Sequence, residues 1–338
     1  MTVIGCSVFP ILEVERCGLP KFSSSNSNIP HNTLSLPENN TIKHLIVIAG
    51  PTASGKTGLS VSLAKYFNCS VVSADSRQFY KEMRIGTAKP SAEEMQNIPH
   101  FFVDTHSIRA PLSAGQFAGE AQEVISELFT QSDFVVLVGG SGLFIKALIE
   151  GIDDLPGDEE VRQKWNDLFR TKGIEVIQQE LARKDPEYAK IVDQSNPVRL
   201  IRALEIIELT GQKYSVLRRG KKKVNTFQTH YFIVNHEREK LYRHINQRVD
   251  CMIQQGLEEE ARDLFRHRDN QALNTVGYKE LFDFFSGETS KEEAIAQIKQ
   301  NTRRYAKRQI TWFKSIAGAI WGTPEDLFQR ITQKFKVI

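Results

Sequence analysis

An eight-residue segment constrains the fold of this chain more than any other feature. It matches G-x-x-x-x-G-K-[ST], follows the apolar run Leu45–Ile48 and precedes a helical pattern that includes Leu59 and Leu63. Its residues are Gly50, Pro51, Thr52, Ala53, Ser54, Gly55, Lys56 and Thr57. Backbone N–H groups of such a loop surround phosphate oxygens, Lys56 neutralises their charge and Thr57 can bind Mg²⁺. The segment predicts a strand, a polyphosphate-binding loop and a helix, but not which bond is broken.

Short apolar runs alternate with amphipathic stretches from Leu45 onward, which is typical of β-α units in a parallel sheet. The strand candidates are Leu45–Ile48, Val71–Ser73, Phe134–Val138, Tyr231–Val234 and Ala319–Trp321. We therefore predict an α/β fold, in which a P-loop NTPase-like parallel sheet forms the core and a mainly helical domain is inserted into it.

Four segments of different composition divide the chain. Residues 1–42 are rich in Ser, Asn and Pro and are predicted to be a flexible extension. The core begins in 43–150 and is interrupted by 151–195, where strand patterns stop and polar, helical spacing takes over. It resumes in 196–338, which ends in basic helices.

Charge is unevenly distributed along the chain, with a net charge of −6 over 1–198 and +9 over 199–338. A basic half can meet a polyanion such as RNA, although a solvated surface has the same composition. The four cysteines include no CxxC pair, which argues against a disulfide framework or a structural zinc site. No apolar run approaches the roughly 20 residues that cross a bilayer. We expect a cytoplasmic enzyme without a membrane segment, and a monomer, because nothing requires a partner subunit.

Asp75 is the candidate general base. It follows Val71–Ser73, which we expect to neighbour the P-loop strand, so its carboxylate should share with Lys56 the crevice at the carboxyl ends of the strands. An aspartate at this position could also cap the next turn. Asp104 could hold Mg²⁺ if the protein were an NTPase.

Arg243 and Arg248 lie on a helix that begins near Glu237. A guanidinium from this helix could bind a diphosphate leaving group with two hydrogen bonds and stabilise its charge. A solvated helix face is the alternative interpretation.

Several separated motifs resemble those of the tRNA dimethylallyltransferases, also called tRNA isopentenyltransferases. The resemblance runs from about Ile46 to Phe313 and follows the bacterial type, without a C-terminal zinc finger. Besides the P-loop, it rests on Asp75–Gln78, Ile85–Pro90, Val138–Leu143, Val276–Tyr278 and Ala306–Trp312.

The resemblance implies a reaction and a role for four residues. The P-loop would hold the diphosphate of dimethylallyl diphosphate together with Mg²⁺, which Thr57 would bind. Asp75 would take the proton from the exocyclic amine of the adenosine beside the anticodon of a tRNA, after that base has been flipped out. Ser141 stands where the family more often has Thr and would keep its polar role, and Arg248 would bind the diphosphate.

The resemblance also implies contacts to tRNA, and the helical segment 151–195 is predicted to make some of them. The residues assigned to tRNA are Asp75, Ser76, Arg77, Gln78, Gly139, Glu160, Val198, Arg199, Leu200, Ile201, Arg202, Asn274, Thr275, Val276, Gly277, Tyr278 and Lys279. Asn274, Thr275 and Lys279 depart from the usual family pattern. Two further basic candidates are the loop 218–223 and a helix face formed by Arg303, Arg304, Lys307, Arg308 and Lys314.

Three alternatives stay open at this point. An adenylate isopentenyltransferase would share the P-loop and the base but alkylate free AMP, ADP or ATP. A P-loop kinase or NTPase would bind ATP through Lys56, Thr57 and Asp104. An RNA-binding protein without catalysis would need neither Lys56 nor Asp75. The helical segment 151–195 and the basic second half favour a large RNA acceptor.

Overall fold

The computed structural model describes residues 42–153, 155–218 and 225–336. The predicted extension up to residue 41 and the basic loop from 219 to 223 lie outside this part of the chain.

The described strands form one parallel six-stranded sheet in the order β3-β2-β4-β1-β5-β6. The strands are β1 His44–Ala49, β2 Val71–Ser73, β3 His100–Phe101, β4 Phe134–Gly139, β5 Gln228–Val234 and β6 Ile320–Gly322. Residues Leu45–Ala49 of β1 are fully buried, as expected for a strand that is covered on both faces. The predicted α/β class and all five predicted strands are confirmed.

The prediction that Val71–Ser73, now β2, neighbours the P-loop strand β1 is wrong. β1 pairs with β4 and β5, whereas β2 pairs with β4 and β3, so β4 separates β1 from β2. Sequence order does not fix strand order in a parallel sheet, because each connection crosses over the sheet and can skip a position. β3 was not predicted because it has only two residues.

Helices cover both faces of the sheet. They are α1 Lys56–Phe67, α2 Ala92–Met95, α3 Ala114–Gln131, α4 Gly142–Glu150, α5 Glu159–Lys172, α6 Ile174–Lys184, α7 Pro186–Ala189, α8 Pro197–Thr210, α9 Tyr214–Leu217, α10 Arg238–Gln254, α11 Leu257–Leu264, α12 Tyr278–Phe285, α13 Lys291–Phe313 and α14 Pro324–Lys334. One face packs on α3, α4 and the end of α13, the other on α1 and α14. None of the described helices has both the length and the apolar character needed to cross a bilayer.

Two further helical groups stand beside the sheet. One joins α10 to α13 and packs around Met83, Leu281 and Ile298. The other, which we call the α5–α9 group, has its own core, formed by Trp165 of α5, Ile177 of α6 and several apolar residues of α8. Because α8 and α9 pack on α5, α6 and α7, this group continues to Leu217 and not only to the predicted boundary at residue 195.

Candidate active site

A cavity of about 790 Å³ lies where β1, β2 and β4 end. Its wall combines the P-loop, the residues that follow β2, one face each of α10 and α13, and segment 274–280. The two groups that sequence analysis assigned to the diphosphate and to the base therefore share one space, although their strands are not neighbours. This is the position that ligands take in parallel α/β sheets.

Two glycines give the P-loop its shape. Gly50 has φ +146°, and a Cβ there would lie 2.5 Å from the carbonyl oxygen of Val234, so only glycine fits beside the end of β5. Gly55 has φ +90° and precedes α1, whose first turn carries no side-chain cap. The N–H groups at the start of α1 are therefore available to an anion.

Lys56, Arg248 and Asp75 form a charged group in the wall of this cavity. Burial lowers the pKa of Lys56 to about 8, with the negative charge of Asp75 opposing this shift and Arg248 adding to it. Burial also lowers the pKa of Arg248, again opposed by Asp75. Both cations stay desolvated although Asp75 lies near them and Glu94 also acts on Arg248, so an anionic ligand in the cavity would be stabilised by them.

The cations are hydrogen-bonded to the P-loop itself. Lys56 Nζ donates to the carbonyl oxygen of Pro51 at 2.6 Å, and Arg248 Nη1 donates to Thr52 Oγ1 at 3.3 Å. Arg243, the other candidate on α10, is exposed and does not line the cavity. The structure thus selects Arg248, because its position on the helix faces the P-loop.

Asp75 is oriented by the turn that follows β2. Its Oδ1 accepts a hydrogen bond from the backbone N–H of Arg77 at 3.1 Å. The next residue, Ser76, donates its backbone N–H to Ser141 Oγ at 3.0 Å, and Ser141 Oγ lies 3.1 Å from Ser76 Oγ. Ser141 is therefore connected to the base through Ser76, although it is not itself among the cavity-lining residues.

Tyr305 of α13 was not predicted as a site residue, yet it lines the cavity beside Asp75. Burial, with the nearby charge of Asp75, raises the pKa of its hydroxyl to about 12 although a hydrogen bond with Ser141 opposes the shift. The hydroxyl therefore stays protonated near neutral pH. No motif spacing indicated this contact, because Tyr305 and Asp75 are distant in sequence.

Gln309, one turn after Tyr305, was also missed. Its Oε1 accepts a hydrogen bond from Thr52 N at 2.9 Å, and its Nε2 donates to the carbonyl oxygen of Gly140 at 3.0 Å. It is only 6% exposed. The available signal was a polar residue at the helical spacing of Ala306 and Phe313, which are buried.

Glu260 fixes the loop 84–88, part of which lines the cavity. Its carboxylate accepts the backbone N–H groups of Arg84, Ile85 and Gly86 at 2.8 to 2.9 Å, and the hydroxyl of Tyr278 at 2.7 Å. This carboxylate was not a sequence candidate. Its contacts place Gly86, Thr87 and Ala88 in the cavity wall.

The structure brings ten of the predicted tRNA-binding residues to this cavity. They are Asp75, Ser76, Arg77, Gln78, Gly139, Asn274, Thr275, Val276, Gly277 and Lys279. Tyr278 does not join them: it is fully buried, and its ring fills the space where a Cβ on Gly86 would lie, at 2.6 Å. Tyr278 therefore packs the wall instead of presenting a side chain to a ligand.

The remaining candidates lie elsewhere. Leu200 and Ile201 are buried in the core of the α5–α9 group, so their side chains pack inside this group and do not lie at its surface. Arg202 donates to the carbonyl oxygens of Leu155 and Pro156 at 2.9 and 3.0 Å. The exposed candidates outside the cavity are Glu160, Val198 and Arg199.

Asp104 does not reach the phosphate-binding loop. It forms an ion pair with Lys89 and is absent from the cavity lining. The NTPase alternative placed Asp104 beside Mg²⁺, and its pairing with Lys89 weakens that alternative.

The donor set around Thr57 suits a magnesium ion that arrives with a phosphate ligand. Among the described residues, no cluster of three or more His, Cys, Asp or Glu side chains could hold a metal alone. Thr57 lines the cavity at the start of α1 and offers a hydroxyl oxygen, the kind of hard ligand that Mg²⁺ prefers. Phosphate oxygens would have to supply other ligands.

Comparison with known proteins identifies the family of a chain with this fold and this site. The sequence model of the family described as IPP transferase matches residues 78–316. The chain belongs to this family. It is 46% identical to a tRNA dimethylallyltransferase of Cytophaga hutchinsonii, over 86% of this chain and 96% of that protein. It is 48% identical to one of Christiangramia forsetii, over 82% and 92% of the two chains.

Solved structures of IPP transferase relatives share the fold. The tRNA isopentenylpyrophosphate transferase of Bacillus halodurans is 37% identical, with a TM-score of 0.63 over 86% of this chain and 96% of that one. A eukaryotic dimethylallyltransferase described as acting on tRNA is 28% identical, with a TM-score of 0.68 over 86% and 76% of the chains. Its name and those of the curated relatives do not favour the adenylate or kinase alternatives.

Proposed function

We propose that this protein transfers the dimethylallyl group of dimethylallyl diphosphate to the exocyclic amine of the adenosine next to the anticodon of a tRNA, and releases diphosphate. One observation carries the proposal: the P-loop lysine, Arg248 and the carboxylate of Asp75 line one cavity, in which both cations are desolvated. The names of the relatives supply the identity of the two substrates.

The cationic half of the cavity suits the donor. A diphosphate would lie against the N–H groups at the start of α1, with Lys56 and Arg248 replacing the hydration of its charge. Negative charge grows on the diphosphate as the allylic carbon–oxygen bond breaks, so cations that are already in place stabilise the transition state. Mg²⁺, held by Thr57 and the diphosphate, would supply further charge neutralisation at this position.

The carboxylate half suits the acceptor. An adenine amine is a weak nucleophile until its proton can leave, and Asp75 accepts that proton as the nitrogen attacks the allylic carbon. The N–H of Arg77 holds the carboxylate in place. Ser76 and Ser141 are hydrogen-bonded to each other beside it, and the Tyr305 hydroxyl, which lines the same cavity, would help to orient the acceptor.

The tRNA would approach from the side of the exposed basic residues of α13. Arg304, Lys307, Arg308 and Lys314 are exposed, and Arg308 also lines the cavity, so this face connects solvent to the site. Arg303 instead donates to Asn246 at 2.6 Å. Exposed basic side chains next to a catalytic cavity are suited to contacts with a phosphate backbone.

A transfer assay with three acceptors tests the proposal. The protein is incubated with labelled dimethylallyl diphosphate and, in separate reactions, with unmodified tRNA, AMP or ATP. We expect label in tRNA only and release of one diphosphate per transfer. Label in AMP but not in tRNA would instead establish the adenylate enzyme, and ATP hydrolysis without any transfer would establish the kinase class.

A further inference from the structure

Gln309 bridges two neighbouring loops, the P-loop that follows β1 and the turn that follows β4. Its carbonyl oxygen is bonded to Thr52 N in the diphosphate-binding loop, and its amide nitrogen to the carbonyl of Gly140, directly before Ser141. The residue is almost completely buried. Both ends of the amide are thus satisfied by backbone groups of different loops, so Gln309 ties both loops to α13 and adds to the β1–β4 pairing, which ends at Ala49 and Gly139, in setting their separation.

The atoms around this amide are tightly packed. A Cβ on Gly140 would lie 2.3 Å from Gln309 Nε2, and 3.5 Å from the carbonyl oxygen of Gly50. The absence of a side chain at Gly140 therefore lets the P-loop, Gln309 and the end of β4 meet. A displacement of Gln309 would change the position of both loops.

The same face of α13 also reaches the base. Tyr305 lies one turn before Gln309 and lines the same cavity as Asp75. One face of α13 therefore borders both the P-loop, through Gln309, and the space beside Asp75, through Tyr305.

We propose that Gln309 is a positioning residue, which sets the separation between the bound diphosphate and the carboxylate of Asp75. The inference rests on the proposed function. Attack by the amine nitrogen requires the reacting atoms to be roughly 3 to 3.5 Å apart, and a misplacement of about 1 Å can cost about 10²-fold in rate. The role concerns alignment, so binding of each substrate alone depends on Gln309 only weakly.

Two substitutions separate the ends of the amide. Gln309→Leu removes both hydrogen bonds. Gln309→Glu keeps an oxygen for Thr52 N, but the carboxylate donates to Gly140 only when it is protonated. Burial favours that protonated form, and the nearby cations Lys56 and Arg248, which would favour the ionised form, are neutralised once the diphosphate is bound. Gln300→Leu, the same change at an exposed position of α13, is the matched control.

The experiment measures single-turnover transfer to tRNA at saturating concentrations of both substrates, together with the Kd of each substrate alone. For Gln309→Leu we expect the rate to fall about 10- to 100-fold while each Kd changes less than about threefold. For Gln309→Glu the rate relative to the wild-type protein should rise as pH falls from about 8 to about 6. Gln300→Leu should match the wild type.

Three results would overturn the inference: an unchanged rate for Gln309→Leu, a loss of rate explained fully by a weaker Kd, or a pH-independent ratio for Gln309→Glu. Urea unfolding checks that each variant is folded, and if the leucine variant is not, the glutamate variant decides. If the wild-type protein itself transfers no label to tRNA, the proposed function fails, which is a different outcome.

Discussion

Two carboxylates in this protein, the buried Glu205 and the half-buried Asp75, each lie near two cations, but only Glu205 is hydrogen-bonded to its cations. Glu205 of the α5–α9 group is fully buried and accepts hydrogen bonds from Arg162 Nη2 at 2.9 Å and from Asp158 N at 2.9 Å. Arg202 Nη1 lies 3.0 Å from its other oxygen. Burial alone would raise the pKa of Glu205, but the hydrogen bonds from the two arginines lower it overall.

Asp75 also lies near two cations, but neither of them donates a hydrogen bond to its carboxylate. Its cations, Lys56 and Arg248, influence its surroundings electrostatically but donate their hydrogen bonds to the P-loop. Polar groups that are satisfied within the fold stabilise it, whereas groups left available in a cavity are suited to bind and transform a ligand. The comparison therefore predicts that one carboxylate matters for stability and the other for rate.

The largest effect is expected at Asp75. Asp75→Asn keeps the size of the side chain but removes the base, so the single-turnover rate of transfer to tRNA should fall about 10³-fold. The Kd values for tRNA and for dimethylallyl diphosphate should change only a few-fold, and the free energy of unfolding hardly at all. If the loss of transfer were explained fully by a weaker Kd for tRNA, Asp75 would be a recognition residue instead of the base.

Glu205→Ala should give the reverse pattern. It leaves Arg162 and Arg202 without their carboxylate, which should lower the free energy of unfolding by about 3 kcal/mol in urea titrations. Transfer per folded molecule should stay unchanged. Because folding lowers the pKa of Glu205, its contribution is present above the pKa of the unfolded chain and lost as pH falls, so Glu205→Gln and wild type should converge in acid.

Glu187→Ala, at an exposed position of the same helical group, is the control for this prediction. A destabilisation equal to that of Glu205→Ala would show that any charge change in the group has this effect. A loss of transfer in folded Glu205→Ala would instead connect the group to catalysis.

Local patterns allowed the P-loop, five strands and the position of Asp75 to be predicted, because each depends on residues that are adjacent in sequence. Strand order was not predictable from them, and the two residues of β3 carry too little pattern. Gln309 and Tyr305 act through contacts with residues more than 150 positions away.

The predicted tRNA contacts show the same limit. A motif identifies a segment but not which of its side chains point outward. In segment 198–202, helical geometry exposes Val198 and Arg199 and buries Leu200 and Ile201. Tyr278 is buried for the same reason, between its neighbours that line the cavity.

The pKa of Lys56 predicts a pH dependence that Glu205 cannot show. With this pKa lowered to about 8 in the free protein, a diphosphate must bind the protonated lysine, so its Kd should weaken by up to about tenfold per pH unit above that value. Binding at higher pH should take up a proton, visible by calorimetry in buffers of different ionisation enthalpy.

Lys56→Arg should abolish that proton uptake, since arginine stays charged. In the ligand-free protein, stability should increase as pH rises, whereas diphosphate binding weakens. The unfolded chain holds the lysine proton more tightly than the folded one, so the free energy of unfolding should rise as pH increases from about 8 towards the pKa of a free lysine. Unchanged proton uptake in Lys56→Arg would assign the titration to another group.

The smallest effects should separate two arginines three positions apart. Arg199 is exposed, so Arg199→Ala should weaken tRNA binding a few-fold and make its salt dependence less steep by about one unit of the log–log slope, without a change in stability. Arg202 is bonded to Leu155, Pro156 and Glu205, so Arg202→Ala should lower the free energy of unfolding by about 1 kcal/mol and leave that slope unchanged. Filter binding over a salt series and urea unfolding measure the salt slope and the free energy of unfolding of each variant.

If Arg202→Ala reduced the salt slope as well, the bonds of Arg202 within the α5–α9 group would have to open when tRNA binds. The ion pair of Glu205 with Arg202 would then exist in the free protein alone.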